Sequence, residues 1–189
     1  KFSAYAQGMK ANLTWINSKN FEKGELGKNK ISDLKKFDGI IVPGGFGESG
    51  VEGKIEAIKY ARENKIPYFG LCYGMQLAVI EYARNVAKLS GAHTTEVNPD
   101  SKHPVIDIMP DQKDKIKKGD MGGSMRLGKY TAILKSGSIA RSAYNSAQIE
   151  ERHRHRFEVN PEYIAKLTEA GLVFSGTSPD MRLMEIIEL

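Results

Sequence analysis

The residues with the clearest chemical potential lie in Gly70-Leu71-Cys72-Tyr73-Gly74, a Gly-x-Cys-x-Gly run holding the one cysteine of the chain. It follows a short apolar stretch, Pro67–Leu71, which predicts a strand. It precedes Gly74–Leu89, where Leu77, Ile80, Ala83 and Ala87 recur at helical spacing. A thiol on a sharp strand-to-helix turn is the sulfur version of a nucleophile elbow. The turn holds the nucleophile in a strained conformation, and glycine two residues away on both sides avoids a collision. The helix N-terminus favours thiolate over thiol, and the Tyr73 amide is free to stabilise an oxyanion. Cys72 is therefore the candidate nucleophile. A lone cysteine is more commonly a small buried core residue, but the strand before it and the helix after it favour the reactive reading.

A second turn, Pro43-Gly44-Gly45-Phe46-Gly47, follows the β-branched run Asp38–Val42, which predicts a buried parallel strand. It lies one βα unit before Cys72, so in a parallel sheet both turns emerge at the carboxyl edge, where ligands bind. Its glycines let backbone amides approach a ligand, and the Gly45 amide is the candidate second oxyanion donor beside Tyr73. A phosphate cradle is disfavoured, because neither a Walker Gly-Lys-Ser/Thr nor a Gly-x-Gly-x-x-Gly pattern is present.

The elements that must position these turns follow from hydrophobic periodicity. Glu52–Asn64 predicts a helix on Ile55, Ile58 and Ala61, and Ile31–Lys36 a short one. Residues 1–10 read as the continuation of a helix, and Leu13 and Trp15 alternate in Ala11–Asn17, as in a strand. Short strands are expected at Pro104–Met109, Leu127–Leu134 and Leu172–Ser175, with another strand-like run at Ile186-Ile187 and a helix at Pro161–Ala170. The alternation in Arg152-His153-Arg154-His155-Arg156 puts the arginines on one side of a strand. By itself that run reads equally as a solvated edge or an anion site. Strand, glycine turn, helix, strand, tight turn, helix is the rhythm of βαβ crossovers. The expected fold class is α/β: a doubly wound, mostly parallel open sheet with helices on both faces, and added short antiparallel strands in the C-terminal half.

Composition sets outer bounds. The 189 residues suit one domain, 1–189, and carry 28 Lys+Arg against 23 Asp+Glu, a net charge of +5. The charges in Glu52–Glu63 alternate in sign, which reads as a solvated helix face with pairs three or four residues apart, and Lys113–Lys118 reads as an exposed loop. No aromatic residues interleave with a basic stripe, so nucleic acid is not the expected partner. No run approaches the ~18 apolar residues of a membrane span. One cysteine excludes an internal disulfide framework and a multi-thiolate zinc site, no metal is expected, and the expected compartment is a reducing cytoplasm.

Several segments together resemble the class I (triad) glutamine amidotransferases: Val42–Gly47, Val51–Lys54, Ala61–Asn64, Gly70–Gln76 and Ala78–Arg84. Met121–Gly128 (MGGSMRLG) and Glu151–Asn160 (ERHRHRFEVN) narrow the resemblance to the C-terminal glutaminase domains of the CTP synthases. The resemblance implies that Cys72 attacks the side-chain amide of L-glutamine and forms a γ-glutamyl thioester that water resolves. Ammonia would then pass to an N-terminal synthetase domain that aminates ATP-activated UTP to CTP. It matches Gly45 to a glutamine-binding glycine, Tyr73, Gly74, Met75 and Gln76 to the binding segment after the nucleophile, Glu96 to the partner of the substrate α-amino group, and Arg156 to the partner of its α-carboxylate. The family often carries Leu where Tyr73 stands; because its amide is the part the oxyanion needs, little loss is expected. It further implies a homotetramer, ATP and Mg2+ in the synthetase domain, no cofactor in this one, and GTP as an effector.

The sequence departs from the family at both ends. The base and its orienter come in that family from a His-Pro-Glu, which is not found here: His103-Pro104 is followed by Val105, and Pro161-Glu162 is preceded by Asn160. None of His93, His103, His153 and His155 is assigned as the base by motif. The expectation is a domain given without its first strand and its His-Pro-Glu segment. The alternatives weighed are another triad amidotransferase or a γ-glutamyl hydrolase, against which the last two motifs argue, and a non-catalytic glutamine-binding or interaction domain.

Overall fold

The computed structural model describes residues 1–22, 30–108 and 125–189. Lys113–Lys118 and the Met121–Ser124 part of MGGSMRLG lie outside them. The chain begins with helix α1 (Phe2–Ala6) and continues through 3-10 turns at Ser18–Phe21 and Ile31–Lys36. Strand β1 (Ile40–Val42), helix α2 (Val51–Glu63), strand β2 (Tyr68–Gly70) and helix α3 (Tyr73–Asn85) then form a βαβα unit. Strands β3 (Ala92–Thr94) and β4 (His103–Ile108) follow. The C-terminal half holds β5 (Arg126–Leu134), α4 (Ile139–Tyr144), β6 (Gln148–His155), β7 (Phe157–Val159), α5 (Pro161–Glu169), β8 (Val173–Thr177) and β9 (Met184–Glu188).

The α/β architecture is the expected one. β1 pairs with β2 in parallel across the α2 crossover, and β3 pairs with β4 in parallel across a loop without a helix. The remaining pairings are antiparallel: β7 adds to β4 in the order β3-β4-β7, and a separate sheet runs β6-β5-β8-β9. They are longer than the short additions expected, with nine residues in β5 and eight in β6. The pairing Val42↔Gly70 brings the ends of β1 and β2 level, so the two glycine turns leave the same edge side by side.

Two expectations need correction. Ala11–Asn17 is not a strand: Leu13 and Trp15 are exposed and the segment is irregular. Alternation alone supplies no ladder partner, and among the described residues no strand pairs with it. The β1–β2 pair is buried on one face. Val42 is in the core, but Ile41 and Phe69 stand exposed on the other side.

The main core lies between α2, α3, β3, β4, β7 and α5, with Ile55, Ile58, Leu77, Ile80, Ala83, Val105, Ile106, Val159 and Leu167 all buried. The apolar stripes read for both long helices face it. Along α2 itself Arg62 approaches its neighbour Glu63 at 3.6 Å, not a partner three or four residues away as the sign alternation suggested. Arg62 also forks onto the buried Glu81 of α3, at 2.9 and 2.7 Å, and Glu52 accepts from Arg84 of α3 at 2.7 Å. Two adjoining helices offer partners that hold both oxygens of a carboxylate, a geometry one helix face does not provide.

Candidate active site

Cys72 caps α3 with φ +54° and ψ −106°, a left-handed backbone that a non-glycine residue adopts only when its surroundings enforce it. The enforcement is visible in the flanking glycines. A Cβ on residue 70 would lie 2.6 Å from the Gly74 carbonyl carbon, and one on residue 74 would overlap the Val42 carbonyl oxygen. The bend is thus closed tightly against β1, and only glycine fits on either side, as the sequence pattern predicts. The sulfur is exposed rather than sealed in the core.

It opens on a cavity of about 540 Å³ lined by Gly45, Phe46, Cys72, Gln76, Glu96, Met125, Arg154, His155, Arg156 and Phe157. Of the residues singled out in the sequence, Gly45, Cys72, Gln76, Glu96 and Arg156 are therefore brought together. Gln76 is nevertheless engaged, since its side-chain amide donates to the Phe157 carbonyl at 2.7 Å. Glu96 accepts the Gly47 N–H at 3.0 Å. Tyr73, Gly74 and Met75 send no side chain into the cavity: Tyr73 is buried, Gly74 packs on β1 and Met75 packs against the core. Tyr73 acts on the sulfur through its backbone N–H, which favours the charged form of Cys72. On the facing turn, a Cβ added to Gly44 would sit 3.9 Å from the sulfur, so bare backbone passes close by.

The structure adds a partner that the sequence left unassigned. His155 lines the same cavity as Cys72, and hydrogen bonding from it is the largest cause holding that thiol below its ordinary pKa; its positive charge and the Tyr73 N–H act in the same direction, against burial. Burial works against the charge on His155, but the sulfur and Glu158 outweigh it and push its pKa up to about 10. Each group thus favours the charged form of the other, thiolate on Cys72 and imidazolium on His155. Because a group that binds its proton this firmly is a poor base near neutrality, His155 acts on the resting sulfur as a fixed positive charge.

Behind His155 lies a buried charge cluster contributed by β5, β6, β7 and β9. Glu158 Oε1 is 3.7 Å from His155 Nδ1 and accepts from Arg126 at 2.8 Å; Arg126 also donates to Glu185 at 2.7 Å. His153 Nδ1 lies 3.5 Å from Glu185 and 3.4 Å from His155 Nδ1. Burial, the largest influence on His153, lowers its pKa, so the neighbouring imidazoles divide into one charged and one neutral ring. The period-2 alternation of Arg152–Arg156 was the available signal. It places Arg152 and Arg154 on the open face of β6 and turns His153 and His155 inward. What the alternation does not reveal is that the inward face meets the sulfur.

The profile of the glutamine amidotransferase class-I family matches residues 3–189. The CTP synthase of Halalkalibacterium halodurans is 53% identical over 189 residues, covering 100% of this chain and 34% of that protein. The CTP synthase of Clostridium acetobutylicum is 56% identical over 185 residues, 98% of this chain and 33% of that protein. The chain thus spans about a third of the length of these curated relatives. Among solved structures, the glutaminase domain of Trypanosoma brucei CTPS with bound acivicin superposes with a TM-score of 0.87 at 39% identity, covering 97% of this chain and 69% of that one. The strained cysteine bend, the paired glycine turn and this match along nearly the whole chain agree: the chain belongs to the class-I glutamine amidotransferases.

Proposed function

We infer that the chain is the glutamine-hydrolysing domain of a CTP synthase, and that it releases ammonia from L-glutamine at Cys72. The observation carrying this reading is the strained, exposed sulfur of Cys72 in a cavity that also presents Glu96 and Arg156. A free amino acid needs one anion for its α-amino group and one cation for its α-carboxylate, and the cavity offers both. The thiolate attacks the γ-carbonyl carbon, and the C=O electron pair moves to oxygen. The amides of Tyr73 and Gly45 receive that oxyanion. Collapse breaks the C–N bond, leaves a thioester and expels ammonia. Attack has by then consumed the negative charge of the sulfur, before the C–N bond breaks, and with it one of the supports for the extra proton on His155. That proton is then available to the departing nitrogen.

The likeness to the CTP synthases extends the reading. In it the ammonia aminates ATP-activated UTP in a synthetase domain of the same polypeptide. ATP and Mg2+ bind there, GTP acts as effector, the whole enzyme is a cytoplasmic homotetramer, and this domain needs no cofactor of its own. No helix of the described residues is long and apolar enough to cross a membrane.

Two measurements test the core of the reading. Glutamate and ammonia release by the full-length protein should require Cys72. A glutamine-shaped diazoketone should leave one adduct, located on Cys72 by mass spectrometry of the digested protein. Turnover unchanged in Cys72→Ala, or an adduct elsewhere, would remove Cys72 as nucleophile.

A further inference from the structure

We propose that the Tyr73 side chain is a positioning residue for the oxyanion site: it holds the facing glycine turn, so that one residue serves the site twice, through its amide and through its phenol. The proposal rests on the glutaminase reading above and deepens it.

Three observations converge on Gly47, the last residue of the turn. Its carbonyl accepts the Tyr73 hydroxyl at 2.7 Å. Its N–H donates to Glu96 at 3.0 Å. Its φ of +75° is a left-handed conformation, one of several that glycine visits freely, so contacts select it. Both polar groups of this residue are thus tied to side chains that come from elsewhere in the chain. The turn has little apolar anchorage of its own, because Phe46 is 87% exposed. The Tyr73 ring, by contrast, is buried to 2% exposure. It lies under Gly45, where an added Cβ would meet it at 3.5 Å. The ring therefore supports Gly45 from below while the hydroxyl fixes Gly47 two residues on. Between them they set where the Gly45 amide points.

A leucine at this position fills apolar space but offers no hydroxyl to the Gly47 carbonyl. The expectation that only the Tyr73 amide matters therefore undervalues the side chain. Removing the hydroxyl leaves a carbonyl without its partner and frees the turn to rotate. The donor that suffers is needed by the oxyanion, not by the resting sulfur.

That distinction gives the test. In the full-length protein, Tyr73→Phe should lower kcat for glutamine hydrolysis by about tenfold, the effect of one hydrogen bond, with KM within twofold. Alkylation of Cys72 by iodoacetamide, a displacement at sp3 carbon that forms no oxyanion, should keep the parent rate. A fall in both rates would mean that the substitution disturbs the sulfur itself and would overturn the proposal. So would an unchanged kcat, or a loss confined to KM. Should Tyr73→Phe not fold, Tyr73→Leu gives the same two readouts with the same expectations. Failure of the underlying reading shows separately, as glutaminase turnover that persists in Cys72→Ala.

Discussion

The two halves of the molecule build their parts of the site from different materials. In residues 40–85 the chemistry is made of backbone: a bend with positive φ at Cys72, glycines that let strand and helix close together, and a facing turn whose bare backbone passes close to the sulfur. In residues 126–188 it is made of side-chain charge, with Arg126, His153, His155, Glu158 and Glu185 buried together behind the sulfur. Backbone geometry is enforced by sterics over a few residues. A buried charge cluster is held by partners far apart in sequence, because an ion taken out of water must be compensated wherever the fold can place a counter-ion. The first half presents the sulfur, and the second lowers its pKa.

Substitutions can break or sharpen this contrast. The largest effect belongs to the backbone half: Cys72→Ala should lower glutaminase turnover by about 10³-fold or more, since no other described side chain occupies the bend. Residual turnover near the parent level would move the reaction out of that half.

The next effect belongs to the charged half and is one of stability. Glu158→Gln keeps the shape but removes the negative charge shared by Arg126 and His155, leaving buried positive charge undercompensated. A loss of about 3 kcal/mol in urea unfolding is expected, as for a broken buried pair. A loss below about 1 kcal/mol would mean that the cluster is wetter than its burial indicates.

Arg156 sits where the two halves meet. Arg156→Ala should raise KM for glutamine by about ten- to a hundredfold, with kcat changed less, because a charged hydrogen-bond partner of the substrate carboxylate is lost. An unchanged KM would remove Arg156 from the site.

The smallest effect is a titration. His155 lowers the Cys72 pKa, so the thiolate persists to lower pH than an ordinary thiol allows. In His155→Asn the pH midpoint of iodoacetamide alkylation should therefore move upward, with reactivity at neutral pH reduced and that at alkaline pH retained. A midpoint that stays or falls would contradict the imidazolium–thiolate pair.

The elbow was legible because its signal is local. Gly70, Cys72 and Gly74 fall within five residues, and the strand and helix beside them are regular enough to read. The helical faces were legible for the same reason, and Ile55, Ile58, Leu77 and Ile80 are buried as their spacing predicts. Trp15 misled because alternation describes one strand and a sheet needs two. His155 was half legible: the side of the strand it occupies followed from its spacing, while its neighbour across the cavity did not.

The sequence alone determined the bend at Cys72, the parallel order of the strands that carry both glycine turns, and the family, because these depend on sterics and patterning over short spans. The tertiary structure decided which charges meet: Arg62 with Glu81, Arg126 with Glu158 and Glu185, and His155 with Cys72. A side chain's local sequence fixes the direction in which it leaves the backbone, but only packing fixes what lies there to meet it.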